Sequence, residues 1–197
     1  MMDATTSGWN VLDTAHEALR TAVREVPAGA WTWPTPCTEW DVTQVVQHAA
    51  GDQLAFAAAI TGGPGPGFDP FAPSGTIDGD PGAFLEPMLA ACAAAWATVD
   101  KDAGTVPVPV PPNALPPRVG AGAAALDAAV HAWDIAMATG RPSPLTGDLA
   151  RELLTVAKEI VEPLRQYGAY ADAIEGDGDD DVAALLHYLG RDPRWTA

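Results

Sequence analysis

A chain of 197 residues is long enough to bury one sizeable core and short for two, so a single domain over residues 1–197 is expected. Its 26 acidic and 10 basic residues give a formal charge of −16, and the only lysines are Lys101 and Lys158. That balance leaves no basic face for nucleic acid or an anionic membrane, while 48% hydrophobic and 18% charged residues exclude a disordered chain.

The first helix is read from about Thr6 to Val26, where Trp9, Leu12, His16, Leu19, Val23 and Val26 recur at three- and four-residue steps. Pro27-Ala-Gly stops it, and a connector rich in Trp and Pro follows. The second helix opens at Asp41, an N-cap with Gln44 three residues on as a capping box, and Trp40 before it is placed to staple onto Val45. It ends at Gly62-Gly63. Residues 62–82 hold too much Gly and Pro for regular structure, and a loop of that length is expected to act as a lid or binding segment.

A third helix is predicted over Pro81–Asp100, and the prolines of TVPVPVPPNALPPRVG allow at most edge strand. The fourth, Val119–Thr139, is almost pure alanine and aliphatic, so it belongs in the core. A fifth covers Thr146–Tyr167 and a short sixth Asp181–Leu189, capped by Asp180 or Asp181. Three ionisable groups interrupt the fourth helix, which is therefore no membrane span. Long amphipathic helices around one very apolar member read as an all-α helix bundle.

Those three groups, Asp127, His131 and Asp134, fall within roughly 60° of one another on the helix face. Unpaired carboxylates in such a setting cost several kcal/mol, about what a divalent cation or a buried ion pair must offset. Asp127 and His131, one turn apart, can reach a single ion, with a buried ion pair as the bland alternative. His48 is either a satisfied histidine or the third ligand that a bundle site takes from a facing helix; Asp52 lies one turn further. A two-His, one-carboxylate set leaves coordination positions open, as in catalytic zinc and non-haem iron sites.

Asp134 is read either as a group orienting His131 or placing a proton, or as a helix-packing acid. His16 is expected as a core histidine bonded to a carbonyl rather than a cavity-lining residue, and His187 as solvated. The acidic run Glu175–Asp181 fails the EF-hand pattern and is expected as a solvated loop. No phosphate-binding glycine loop and no GxSxG nucleophile elbow is present. Cys37 and Cys92 fit no zinc-finger spacing; reduced, buried thiols of a cytoplasmic protein are expected, with a disulfide as the alternative, and MMDATTSGWN carries no export signal.

Three segments carry a family resemblance. TPCTEWDVTQVVQHAAG resembles the second-helix entry of the actinobacterial branch of the DinB-like superfamily, DAAVHAWDIAMATGRP its acid-x-x-x-His-x-Trp-Asp segment, and ALLHYLGRDPRW its LxxLGRDPxW ending. This branch is related to the metal-binding N-terminal domain of mycothiol-dependent maleylpyruvate isomerase. The resemblance implies an up-down-down-up four-helix bundle, here with a short extra C-terminal helix and long Pro/Gly-rich loops. It also implies a divalent metal on His48, Asp127 and His131, although the family usually carries Glu where this chain has Asp127. The full isomerase has a further C-terminal domain that contributes to catalysis, so a different reaction is expected here.

The function expected is that of a metal-dependent transferase or isomerase using a low-molecular-weight thiol of the mycothiol type. Zinc is the expected ion, with nickel or iron as alternatives, and Asp134 is the candidate catalytic residue. The 62–82 loop would gate the electrophile. A metal-dependent hydrolase and a non-catalytic metal- or ligand-binding bundle are the alternatives, and a homodimer is allowed.

Overall fold

The computed structural model describes residues 6–176 and 178–196. Six helices follow in chain order: α1 (Asn10–Arg24), α2 (Val42–Thr61), α3 (Pro81–Trp96), α4 (Pro117–Ala138), α5 (Gly147–Arg165) and α6 (Asp181–Tyr188). Between α3 and α4, β1 (Val106–Pro107) pairs antiparallel with β2 (Ala114–Leu115), Val106 opposite Leu115. The all-α reading of the sequence therefore holds, and the proline segment yields only this short hairpin. No helix among the described residues is long and apolar enough to cross a membrane.

Local chemistry sets the helix ends. Asp41 accepts from the Gln44 backbone N–H while the Gln44 side chain accepts from the Asp41 N–H, so the expected capping box is formed. Gly62, at φ +69°, ends α2 in the left-handed region. Asp80, Thr146 and Asp180 cap α3, α5 and α6 through their side chains. The first helix starts at Asn10 rather than Thr6, because the backbone N–H of Ser7 turns to the Asp13 carboxylate and Gly8 takes φ +75°.

Packing explains the composition of α4. It touches α1, α2 and α5, while α3 closes the ring by packing on α2 and α1. A helix with neighbours on three sides has little solvent face, so nineteen of its residues are buried. Leu126, Trp133 and Ile135 lie among the largest fully buried side chains of the molecule, and each such burial contributes roughly 1.5–3 kcal/mol. The long helix α5 lies on α4 outside the four-helix ring, and α6 packs on α5. The Arg165 guanidinium binds the carbonyls of Ala171 and Tyr188, fastening the segment that leads into and out of α6.

Candidate metal centre

His48 comes from α2, and Asp127 and His131 stand one turn apart on the facing α4. The helix packing brings all three together in a nearly water-free setting. The Nε2 atoms of His48 and His131 lie 3.4 and 3.5 Å from the same oxygen, Asp127 Oδ1. The two rings are 4.8 Å apart at their centroids and nearly perpendicular. A charge-assisted N–H···O bond is shorter, about 2.7–2.9 Å. Two ligands held at about 2.0–2.1 Å from one tetrahedral ion stand about 3.3 Å apart, which is the spacing found here.

The outward nitrogens are both tied down. His48 Nδ1 lies 2.9 Å from the Pro70 carbonyl oxygen, which can only accept, so Nδ1 carries the proton. His131 Nδ1 lies 2.9 Å from Asp134 Oδ2 and donates in the same way. With Nδ1 so engaged, each ring points Nε2 inward, and loss of the Nε2 proton would leave a lone pair there for a metal, the arrangement that orients metal-ligating histidines.

Asp134 is fully buried, and both its oxygens accept from Arg191: Nε to Oδ1 at 2.9 Å and an Nη to Oδ2 at 2.8 Å. Burial alone would raise this carboxyl, but Arg191 and the His131 hydrogen bond lower it to about 2. Arg191 is delivered by the end of α6. Gly190 takes φ +76° and the Arg191 N–H returns to the Leu186 carbonyl, turning the chain inward toward α4.

Asp127 is held on its other oxygen. Gln53 Nε2 donates to Asp127 Oδ2 at 3.2 Å and to the Ala124 carbonyl at 3.0 Å. With its amide nitrogen so occupied, Gln53 presents Oε1 to His16, whose Nε2 donates at 2.8 Å. His16 is thus the expected buried core histidine, bonded to a carbonyl oxygen, that of the Gln53 side chain, and burial lowers its pKa. The chain His16–Gln53–Asp127 fixes the shorter carboxylate so that Oδ1 faces both imidazoles.

Electrostatics around the three residues are strongly coupled to burial. Burial opposes the charge on His48, but the Asp127 carboxylate outweighs it and raises the imidazole to about 9. Asp127 itself is held below its usual range: burial pushes it up, and His48, His131 and Gln53 pull it further down. Asp52 is raised to about 7 by burial and by the nearby Asp127 charge. Cys37, His131 and Asp134 form a second group with ligand atoms within 4.8 Å of one another. There, however, Asp134 is committed to Arg191, and burial together with Asp134 pushes the Cys37 thiol up to about 11, so it stays protonated at neutral pH. Both cysteines are free.

The 62–82 segment forms a wall of the site rather than a loose flap. Gln44 Nε2 binds the Pro73 carbonyl, Gln47 Nε2 binds Ser74 Oγ and the Thr76 carbonyl, and Gln47 Oε1 accepts from the Gly75 N–H. With the His48–Pro70 contact, three residues of one α2 face lace the segment down. Gly51 makes this possible, since a Cβ there would lie 2.8 Å from Pro70 Cγ and 3.0 Å from a Phe68 ring carbon. Two aromatic rings flank His48: Trp40 at 4.5 Å and Phe71 at 5.4 Å between centroids.

The structure therefore gathers His48, Asp127 and His131, puts Asp134 behind His131, and leaves His187 half-buried beside the Gly176 carbonyl. In the acidic run, Asp180 caps α6; Asp177 lies outside the described residues. Among the described residues no ligand-spaced group includes any member of that run. Gln53, Arg191, Trp40 and Phe71 escaped the sequence reading as site residues. The LGRDP segment was the one signal pointing to Arg191.

Residues 12–136 match the family described as "Mycothiol maleylpyruvate isomerase N-terminal domain". Two relatives, uncharacterized proteins from two strains of Mycobacterium tuberculosis, are each 30% identical over 152 residues, 76% of this chain and 76% of theirs. No solved structure matches the chain.

Proposed function

Because the chain belongs to the mycothiol maleylpyruvate isomerase N-terminal domain family, we propose that it is one metal-binding bundle domain that joins a mycothiol-type thiol to an electrophile. The observation that supports this reading is the convergence of two Nε2 atoms and Asp127 Oδ1, each backed by a partner on its other side. Two imidazoles and one carboxylate suit zinc, and the set leaves a position open for a further ligand. When bound, the ion would supply Lewis acidity that holds a coordinating thiol as its thiolate near neutral pH.

The protein's own residues do the rest. Pro70 and Asp134 keep the two imidazoles in the tautomer that ligates. Gln53 aims Asp127. Arg191 keeps Asp134 ionised and in place, so Asp134 acts as a positioning anion for His131 and not as a proton carrier. Trp40, Phe71 and the laced 62–82 segment limit water at the mouth.

The test is spectroscopic. Cobalt-substituted protein should develop a sulfur-to-metal charge-transfer band when mycothiol is added, and His48→Ala should abolish both the band and metal-dependent conjugation. Absence of the band across a range of thiols, or ester or amide cleavage without thiol, would overturn this reading.

A further inference from the structure

We infer that the electrophile is an uncharged molecule with an apolar, planar body that seats on Phe71, and not a dicarboxylate; this rests on the thiol-conjugation reading above. The first support is the Phe71 ring itself, which is 63% exposed yet held in place. Its backbone N–H donates to Asp69 Oδ1 at 2.9 Å, its neighbour Pro70 binds His48, and the segment beyond is tied to Gln44 and Gln47. A large apolar side chain fixed open to solvent, edge-on to a ligand histidine, is a ready platform for a flat apolar group.

The second support is the charge inventory. Asp127 lies in the cluster, Asp52 is one turn from His48 on α2 and Asp69 borders Phe71, whereas among the described residues no lysine or arginine pairs with any of the three. None lies over Trp40 or Phe71 either; the cation–π contacts of the described residues are on Trp9 and Tyr188. The guanidinium at the site, Arg191, has both arms on Asp134. Recognition of a dicarboxylate normally takes such a fork, and here it is already occupied.

With a divalent ion, the Asp127 carboxylate and a bound thiolate, the centre carries no net positive charge to draw in an anion. A dianion entering that site meets repulsion in a low-dielectric setting, inside the field of a chain with formal charge −16. The reaction balances without an oxidant. The S–H bond breaks, a C–S bond forms at the electrophilic carbon of an activated alkene, and the thiol proton ends on the carbon that receives the displaced electron pair.

Two measurements on the full-length, zinc-loaded protein test this. Calorimetry compares the mycothiol adduct of an aryl vinyl ketone with the adduct of maleate, and steady-state kinetics compares the two parent alkenes. The neutral aryl adduct should bind at least about tenfold tighter, about what stacking of one aromatic pair contributes. Phe71→Ala should raise KM for the aryl alkene about tenfold, well beyond any change in KM for maleate. Equal or tighter binding of the maleate adduct, or an unchanged aryl KM in Phe71→Ala, overturns the inference. A wild-type protein that shows no cobalt–thiol band overturns instead the reading on which it rests.

Discussion

Arg191→Ala isolates the contact between the C-terminal segment and the centre. Asp134 is 0% exposed and takes two of its three hydrogen bonds from this one guanidinium, whose own side chain is 11% exposed. Removing one partner of such a buried pair leaves a stranded carboxylate, at a cost of about 3–5 kcal/mol. For a chain of this length that is a fall in Tm of about 6–20 °C. Arg20 and Glu86 form an equally two-armed pair at the surface, with Glu86 48% exposed, and Arg20→Ala should cost no more than about 1 kcal/mol. The assay is urea unfolding followed by far-ultraviolet circular dichroism in the presence of a chelator, with zinc titration in parallel. Combining Arg191→Leu with Asp134→Leu removes both charges and should recover most of the lost stability. Zinc affinity should nevertheless stay about 10–100-fold below wild type, because His131 has lost its Nδ1 partner. A single-variant cost under about 1 kcal/mol, or a double variant no more stable than the single, would refute the reasoning.

Gly51→Ala puts a methyl group 2.8 Å from Pro70 Cγ and should lift the 62–82 segment; limited proteolysis within it should accelerate while helical dichroism is kept. Gln53→Leu strands the His16 Nε2–H and one Asp127 oxygen, and should cost about 1–3 kcal/mol for each buried group in chemical denaturation. The pH dependence follows from His48, raised above its ordinary value to about 9 by Asp127 against the opposing effect of burial. In chelator, its contribution of about 3 kcal/mol is therefore fully present below the unfolded value near 6.5 and disappears as pH rises through about 9. The urea midpoint of the wild type should fall over that window relative to His48→Gln. Zinc affinity should move the opposite way, rising with pH as the proton leaves His48.

Much of this arrangement is written locally in the sequence. The Asp41–Gln44 box fixes where α2 begins, and so the phase at which His48 points. The four-residue step from Asp127 to His131 fixes their shared face on α4. The nearly all-apolar character of α4 placed it in the core. What stayed hidden are pairings that no periodicity encodes. Arg191 and Asp134 are 57 positions apart, and Gln53 meets Asp127 across 74. Gln53 carries no charge to attract notice. The glycines and prolines of 62–82 correctly excluded regular structure, but the ties that hold the segment lie on α2, at Gln44, Gln47 and His48. Trp40, placed to staple onto Val45, also lies against the His48 ring, a contact that the staple pattern does not announce.

The central claim is that His48, Asp127 and His131 hold one divalent ion. It is tested most directly by elemental analysis of untagged protein purified without chelator, for the wild type and for His131→Ala. The wild type should carry about one equivalent of metal, as a single set of three protein ligands implies. His131→Ala should carry almost none while its helical dichroism persists. A wild type without stoichiometric metal, or a His131→Ala protein that retains it in full, would contradict the assignment.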